Sequence, residues 1–321
     1  MPDVLTTADL IRRCGSPTRA RTALATGRYR RVLRGCYVAA DVPDSLAVRV
    51  QAGRLVLPPG AVVSGRTALW LLGVEVFAQE RWAEVTVPRG RHLEARPGLR
   101  AYAAGLADGD LCDLSGLVVV SAARAVADIA RREPLVEAVA VADAVLRSGA
   151  GTLTQVSECL DRCAGLRGVR TARLVLPHVE PRSESLMESR LRMGFVLEGL
   201  PRPQAQWDVY DRDGRHLGRS DLHLDGVLIE FDGRAERLDR ERFVADRQRQ
   251  TRLLEVGYEL RRYTSGDVYG RSRVSLAAEV QRAVLLAAGR DRSGAYRGPD
   301  TLRAPRIRPL ATRAELQGLA A

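Results

Sequence analysis

The alternation of apolar and polar positions divides the chain into a series of short elements. Thr6 or Thr7 precedes an amphipathic run that predicts a helix through about Cys14. Ser16-Pro17 places a capping residue before a proline at the first helical position, so a second helix follows and ends near Gly27. YRRVLRGCYVAA (29–40) alternates partly around Gly35, the pattern of a short β-hairpin. Helices are predicted near 44–57 and 64–73, the second capped by Ser64. Helix, helix and hairpin in this order outline a winged helix-turn-helix.

From about 80 to 180 the pattern mixes strands (83–88 and 117–120) with helices. SAARAVADIARREPLVEAVAVADAVLRSG reads as two helices broken at Pro134, with Ser121 as a cap; its Ala and Val periodicity indicates packing and no chemistry. Gly165 to Val179 predicts a further helix and a connector, and Pro177 and Pro181 bracket a module boundary. A helix capped by Ser183 opens the next region. Strands at about 204–210, 216–224 and 227–232 follow, then a charged helix over 239–256, a strand over 258–264 and a helix over roughly 266–288. This is a compact α/β unit with a mixed sheet. The expected organisation is thus a multidomain α+β and α/β chain: a winged-helix module (1–75), a small α/β middle domain (76–180), an α/β domain (181–290) and a loose tail (291–321).

Charge adds a partner class to this outline. The net charge is +11, which favours a polyanion, with nucleic acid ahead of a membrane surface. The sequence contains no lysine, so all 50 basic residues are arginine; a bias that general reflects coding composition as well as function. Five cysteines are scattered with no CxxC pair and only four histidines accompany them, which argues against a zinc site. The N-terminus has no apolar signal core, and no apolar run approaches the roughly 18 residues a membrane span requires. A cytoplasmic protein is expected.

The candidate chemistry lies in SDLHLDGVLIEFDG, residues 220–233. With Asp225-Gly226 as a two-residue turn, Leu224 pairs with Val227, His223 with Leu228, Leu222 with Ile229 and Asp221 with Glu230. Cβ atoms of such facing residues lie roughly 4.5–5.5 Å apart. Asp232 falls on the same face, while Leu222, Leu224, Val227, Ile229 and Phe231 form the opposite, core-directed face. Two carboxylates at about 5 Å repel by roughly 3 kcal/mol at an effective dielectric near 20. A divalent cation removes that penalty. So does an arginine partner, and Arg219, placed opposite Asp232 by the same register, is available. Glu184 and Glu188 project from one face of the preceding helix; Glu184 suits the helix dipole, leaving Glu188 as the candidate additional ligand.

ESLMESRLR, RSDLHLDGVLIEFDG and RFVADRQRQTRLLEVGYELRRYT together resemble the PD-(D/E)xK nuclease superfamily, within it the group of domains of unknown function related to very-short-patch repair endonucleases. The resemblance covers about residues 183 to 270 and implies a restriction-endonuclease-like fold that hydrolyses DNA phosphodiesters with Mg²⁺ (or Mn²⁺). By position it assigns Asp221, Glu230 and Glu188 to the metal and to catalysis. The superfamily lysine is replaced by Asp232, assigned here as a further ligand or a residue orienting water. The histidine that the related group carries after the Asp-Gly is absent from RAERLD, leaving His223 as a substitute base. In the following helix Asp246, Gln248, Arg249 and Arg252 are candidates for the site or, for the two arginines, for phosphate contacts.

TTADLIRRCGSPTRARTALATGRYRRVLRGCYV followed by AVVSGRTALWLLGV resembles the AbiEi-type antitoxin module, a winged helix with an appended α/β domain, over residues 3 to 175. The resemblance implies a second helix in the major groove and a wing on phosphates, with Arg19, Arg21, Arg28, Arg30 and Arg31 as contacts. The leading expectation is a DNA-binding, metal-dependent endonuclease. The alternatives are a non-catalytic antitoxin-like transcriptional regulator that retains a nuclease fold, and a protein that binds a toxin partner without touching DNA.

Overall fold

The computed structural model describes residues 3–57, 60–76, 83–90, 99–114, 116–232, 240–269, 275–290 and 295–296. The chain divides into two compact units, 1–132 with 148–169 and 133–147 with 170–321.

The first unit begins with β1 (Leu5–Thr6) and α1 (Thr7–Cys14). Thr6 caps the helix: its hydroxyl accepts from the Asp9 amide, and the Asp9 carboxylate accepts from the Thr6 amide. Ser16 caps α2 (Pro17–Ala25), with Pro17 at the first helical position as its fixed φ favours. The hairpin β2 (Tyr29–Leu33) and β3 (Cys36–Ala39) follows, and β1 pairs with β3 to give a three-stranded antiparallel sheet. Its strand alternation serves two helical surfaces. Tyr37 and Ala39 pack with Leu10, Ala20 and Ala23 of α1 and α2, while Cys36 and Val38 pack with Val48 and Ala52 of α3 (Leu46–Val56). The predicted order of helix, helix and hairpin is therefore present.

A second sheet of the same unit contains β4 (Val62–Val63), β5 (Ala83–Val87), β6 (Leu99–Ala103), β7 (Leu111–Leu114) and β8 (Leu117–Val120), in the order β6-β5-β4-β8-β7. β5 runs parallel to β6 and β4 to β8; the other pairs are antiparallel. Helices α4 (Gly65–Leu71) and α5 (Ala122–Ala130) accompany it. Pro134 separates α5 from α6 (Leu135–Ser148), as expected, and α7 (Leu153–Arg162) returns to the first unit. Ser64 occupies the cap position of α4 but makes no side-chain capping bond. The α5 segment, read from its periodicity as packing alone, also holds buried charge: Arg124 pairs with Asp128 at 2.8 Å and with Asp110 at 2.6 Å. Burial by itself would raise the Asp110 carboxyl, but the Ala107 amide, Arg162 and Arg124 hold it below the usual range.

In the second unit, α8 (Val169–Arg173) leads to α9 (Leu186–Leu197) and the sheet strands β9 (Gln204–Asp211), β10 (His216–Leu224) and β11 (Val227–Phe231). Then come α10 (Arg240–Glu255), β12 (Glu259–Tyr263), α11 (Ser265–Tyr269), α12 (Leu276–Ala288) and β13 (Ala295–Tyr296). The sheet order is β12-β11-β10-β9-β13, with β11 and β12 parallel and the rest antiparallel, so the sheet is mixed as expected. One face carries Leu222, Leu224, Val227 and Ile229 against Leu191 and Phe195 of α9 and Val280 and Ala283 of α12. The other carries Val209, Leu217 and Leu228 against Leu253 of α10. Apart from β13, the expected 291–321 tail lies outside the described residues.

Helix α6 packs in this unit through charge that the sequence did not reveal. Asp143 on α6 and Arg192 on α9 pair at 2.8 Å, both fully buried. The Asp143 carboxylate also accepts from the Ser189 hydroxyl and the Glu180 amide. Polar partners of this kind offset the cost of removing both charges from water.

Candidate functional site

The hairpin expected from the Asp-Gly signal forms in the expected register. Asp225 and Gly226 both take positive φ, 44° and 88°, the two-residue turn that matches strand twist. Leu224, His223 and Leu222 pair with Val227, Leu228 and Ile229. Beyond Leu222 the ladder changes character. The Phe231 amide donates to Asp221 Oδ2 at 2.7 Å, and Ser220 Oγ lies 3.0 Å from the Ile229 carbonyl oxygen. Side chains thus substitute for main-chain bonds where the acids begin. On the other side of β10, Gln206 takes a positive φ of 54° between the pairs Ala205–Leu222 and Trp207–Ser220, opposite Asp221 and with no shift of register.

Glu230 points to the α10 face and is held by two arginines. Its Oε1 accepts from Arg249 Nη1 at 2.7 Å, and its Oε2 from Arg249 Nη2 at 3.0 Å and Arg262 Nη2 at 2.8 Å. The parallel register of β11 with β12 sets Arg262 directly beside Glu230. Arg249 reaches over Gly218, where a Cβ atom would stand 3.0 Å from Arg249 Cδ; the glycine leaves room for this crossing. Asp246 closes the network, 2.8 Å from Arg249 and 2.7 Å from Arg262. Burial opposes the charge on Arg249, but Glu230 and Asp246 outweigh it and raise its pKa; Arg262 is raised with the same balance. Burial would likewise raise Asp246, yet Arg249 and Arg262 lower it. The repulsion expected of the acid pair is therefore offset by arginine, although by Arg249 and Arg262; Arg219 instead pairs with Glu184 at 2.7 Å. Asp232 is half-buried, its carboxylate 3.8 Å from Arg262.

Glu188 serves the start of α9. The cap is Ser185, whose hydroxyl accepts from the Glu188 amide at 3.1 Å, two residues later than the expected Ser183. That shift moves Glu188 into the first helical turn, where an acid suits the dipole, and leaves Glu184 ahead of the helix. Glu188 Oε2 accepts from the Glu184 amide at 2.8 Å and from Gln206 Nε2 at 2.9 Å. Burial raises the Glu188 carboxyl, and these bonds only partly oppose it. Among the described residues no three His, Cys, Asp or Glu side chains gather in a way that could hold a metal ion. The donor set also fits a divalent cation poorly on chemical grounds: an ion on Glu230 would have to displace two guanidinium groups and remain beside their charges.

His223 does not project into solvent. Its ring is buried, stacks on Trp207 at 4.1 Å and meets Tyr258 edge-on at 5.8 Å. Its Nε2 accepts from the Gly226 amide at 3.0 Å, so its ring bonds the turn amide. Of the arginines expected on phosphate, Arg249 belongs to the Glu230 network, whereas Arg252 is exposed, as are Arg19, Arg21, Arg28 and Arg31. Arg30 is half-buried and donates to the Val42 carbonyl from Nη2 at 2.7 Å and from Nε at 3.3 Å. Arg262 was absent from the sequence-based candidates. Its strand meets β11 only through the crossover helix, so no local turn announces the register.

No protein-family model matches the chain. Two uncharacterized proteins from strains of Mycobacterium tuberculosis are 27% identical over 175 residues, 53% of this chain and 64% of theirs. The chain thus matches less than two thirds of those relatives' length. A solved structure of a Mycobacterium tuberculosis protein aligns with 59% of this chain and 75% of its own, at 14% identity and a TM-score of 0.32.

Proposed function

We propose that the chain is a DNA-binding protein of the non-catalytic, regulator kind, in which the acids of a nuclease-like sheet serve a structural ion-pair network. The observation that carries this reading is the state of Glu230, whose two carboxylate oxygens are both engaged by Arg249 and Arg262. The side chains that resemblance assigns to Mg²⁺ have other work: Asp221 accepts a strand amide and Glu188 accepts at the start of α9. Support for DNA as the partner comes from the net charge of +11 and from the exposed arginines of α2 and the hairpin. Long-range attraction to phosphate would make binding strongly salt-dependent.

The deciding experiment incubates the full chain with plasmid and with a labelled duplex in Mg²⁺ or Mn²⁺. The proposal expects duplex binding that weakens steeply with salt, and no nicking or linearisation. Cleavage that disappears in Asp221→Ala would overturn it in favour of a metal-dependent endonuclease. Absence of duplex binding at low salt would instead favour a protein-binding role, such as that of an antitoxin with its toxin.

A further inference from the structure

The first unit contains a cleft at the ends of β5 and β6, with a volume of about 150 Å³. This is comparable to a cavity that accepts a benzene-sized guest. Its lining includes Thr86, Arg89, Tyr102, Asp128, Arg131 and Arg132. Thr86 and Tyr102 are lateral neighbours in the parallel pairing of β5 with β6. Arg131 and Arg132 follow the last turn of α5, so helix and sheet bring the groups together from separate parts of the chain.

The charge in this cleft is one-sided. Asp128 faces three guanidinium groups, and its oxygens are already engaged by Arg124 at 2.8 Å and Arg131 at 2.9 Å. Arg132 is positioned without being neutralised: its Nε donates to the Asp128 main-chain oxygen at 2.7 Å, and its guanidinium lies 3.6 Å from the Tyr102 ring centroid. Arg89 is exposed at the rim, and neither Arg89 nor Arg132 has an ion-pair partner among the described residues. The Thr86 hydroxyl supplies an independent sign of a missing ligand. Thr86 is 1% exposed, and its Oγ1 has no hydrogen-bond partner among the described residues. A buried hydroxyl is ordinarily satisfied, and valine would fill the same space without the unmet polar group.

We propose that this cleft binds a phosphate monoester, with the Thr86 hydroxyl and the guanidinium groups of Arg132, Arg131 and Arg89 on the phosphoryl oxygens. A monoester presents three terminal oxygens and close to two charges, which suits several arginine donors better than the single charge of a diester. The binding is independent of the nuclease-like sheet and of the proposed regulator role. The monoester can belong to a small metabolite or to the 5′ end of a nucleic acid.

The test is isothermal titration of the full chain with inorganic phosphate, glycerol 3-phosphate, and a short oligonucleotide carrying either a 5′-phosphate or a 5′-hydroxyl. Saturable one-to-one binding of inorganic phosphate and at least one phosphorylated probe is expected. Arg132→Gln should weaken that binding about tenfold or more, the effect of losing a charge-assisted hydrogen bond. Thr86→Val should weaken it without lowering the melting temperature, which separates a binding role from damage to the fold. Preference for glycerol 3-phosphate or for the 5′-phosphorylated oligonucleotide assigns the source. No binding of inorganic phosphate or glycerol 3-phosphate together with equal binding of the two oligonucleotides, or unchanged affinity in both variants, would overturn the proposal.

Discussion

The arginines of α2 and the hairpin differ from those around Glu230 in their surroundings. Arg19, Arg21, Arg28 and Arg31 are exposed; Arg249 and Arg262 are committed to two carboxylates that close a ring with them. In a chain without lysine, residue type cannot separate these roles, and burial with partner geometry does. The first set lies open to solvent, and under the proposed function its charge would meet an external anion. The second spends its charge on neighbouring side chains and thereby allows Glu230, with its side chain only 8% exposed, to sit within the sheet. Arg192 is the far end of the same series, fully buried against Asp143.

Breaking the most buried pair is expected to have the largest effect. Asp143→Ala leaves Arg192 charged and uncompensated in the core, and should cost about 3–5 kcal/mol in urea unfolding. Glu230→Ala confronts Arg249 with Arg262 and should cost about 2–3 kcal/mol, reduced by the partial exposure of both arginines. An unchanged denaturation midpoint would mean that the network contributes little to the fold.

A pH effect follows from His178, which burial, with Arg192 and Arg202 nearby, pushes down to about 4 from 6.5. Below 6.5 the unfolded chain takes up a proton that the folded chain refuses until about 4, so stability falls as pH is lowered through this window. The loss should be on the order of 2 kcal/mol after allowance for solvent screening, and His178→Gln should flatten it in thermal unfolding between those values. The smallest effects sharpen the contrast within the hairpin. Arg30→Ala, which removes two bonds to the Val42 carbonyl, should cost about 1 kcal/mol, whereas Arg28→Ala should change stability by less than about 0.5 kcal/mol. For DNA binding the order should reverse, with Arg28→Ala reducing the salt dependence by about one phosphate contact.

Local signals made much of this molecule legible in its sequence. Asp225-Gly226 set the hairpin register through Leu222 and Ile229, and the alternating residues of β10 and β11 named the core face that packs on α9 and α12. Thr152 and Gln155 form a capping box at α7 that their spacing also announced, although that helix was not among the expected elements. Pairings between distant segments were not legible. Arg262 meets Glu230 across a crossover, and Asp143, on a helix whose pattern indicates packing alone, meets Arg192 on a separate helix read for its glutamates. β4, β6 and β7 were also missed; β4 has only two residues, and β6 is largely exposed, so neither produces a clear alternation. The site reading shifted for the same reason: acids are visible along a sequence, while the guanidinium groups that claim them depend on tertiary pairing.

The most direct test of that structural role is isothermal titration of the full chain with Mn²⁺, run beside Glu230→Gln and Asp221→Ala. If Arg249 and Arg262 hold Glu230 as described, the wild-type protein shows no saturable site that either substitution removes. A one-to-one Mn²⁺ site in the wild type that disappears in both variants would contradict the account.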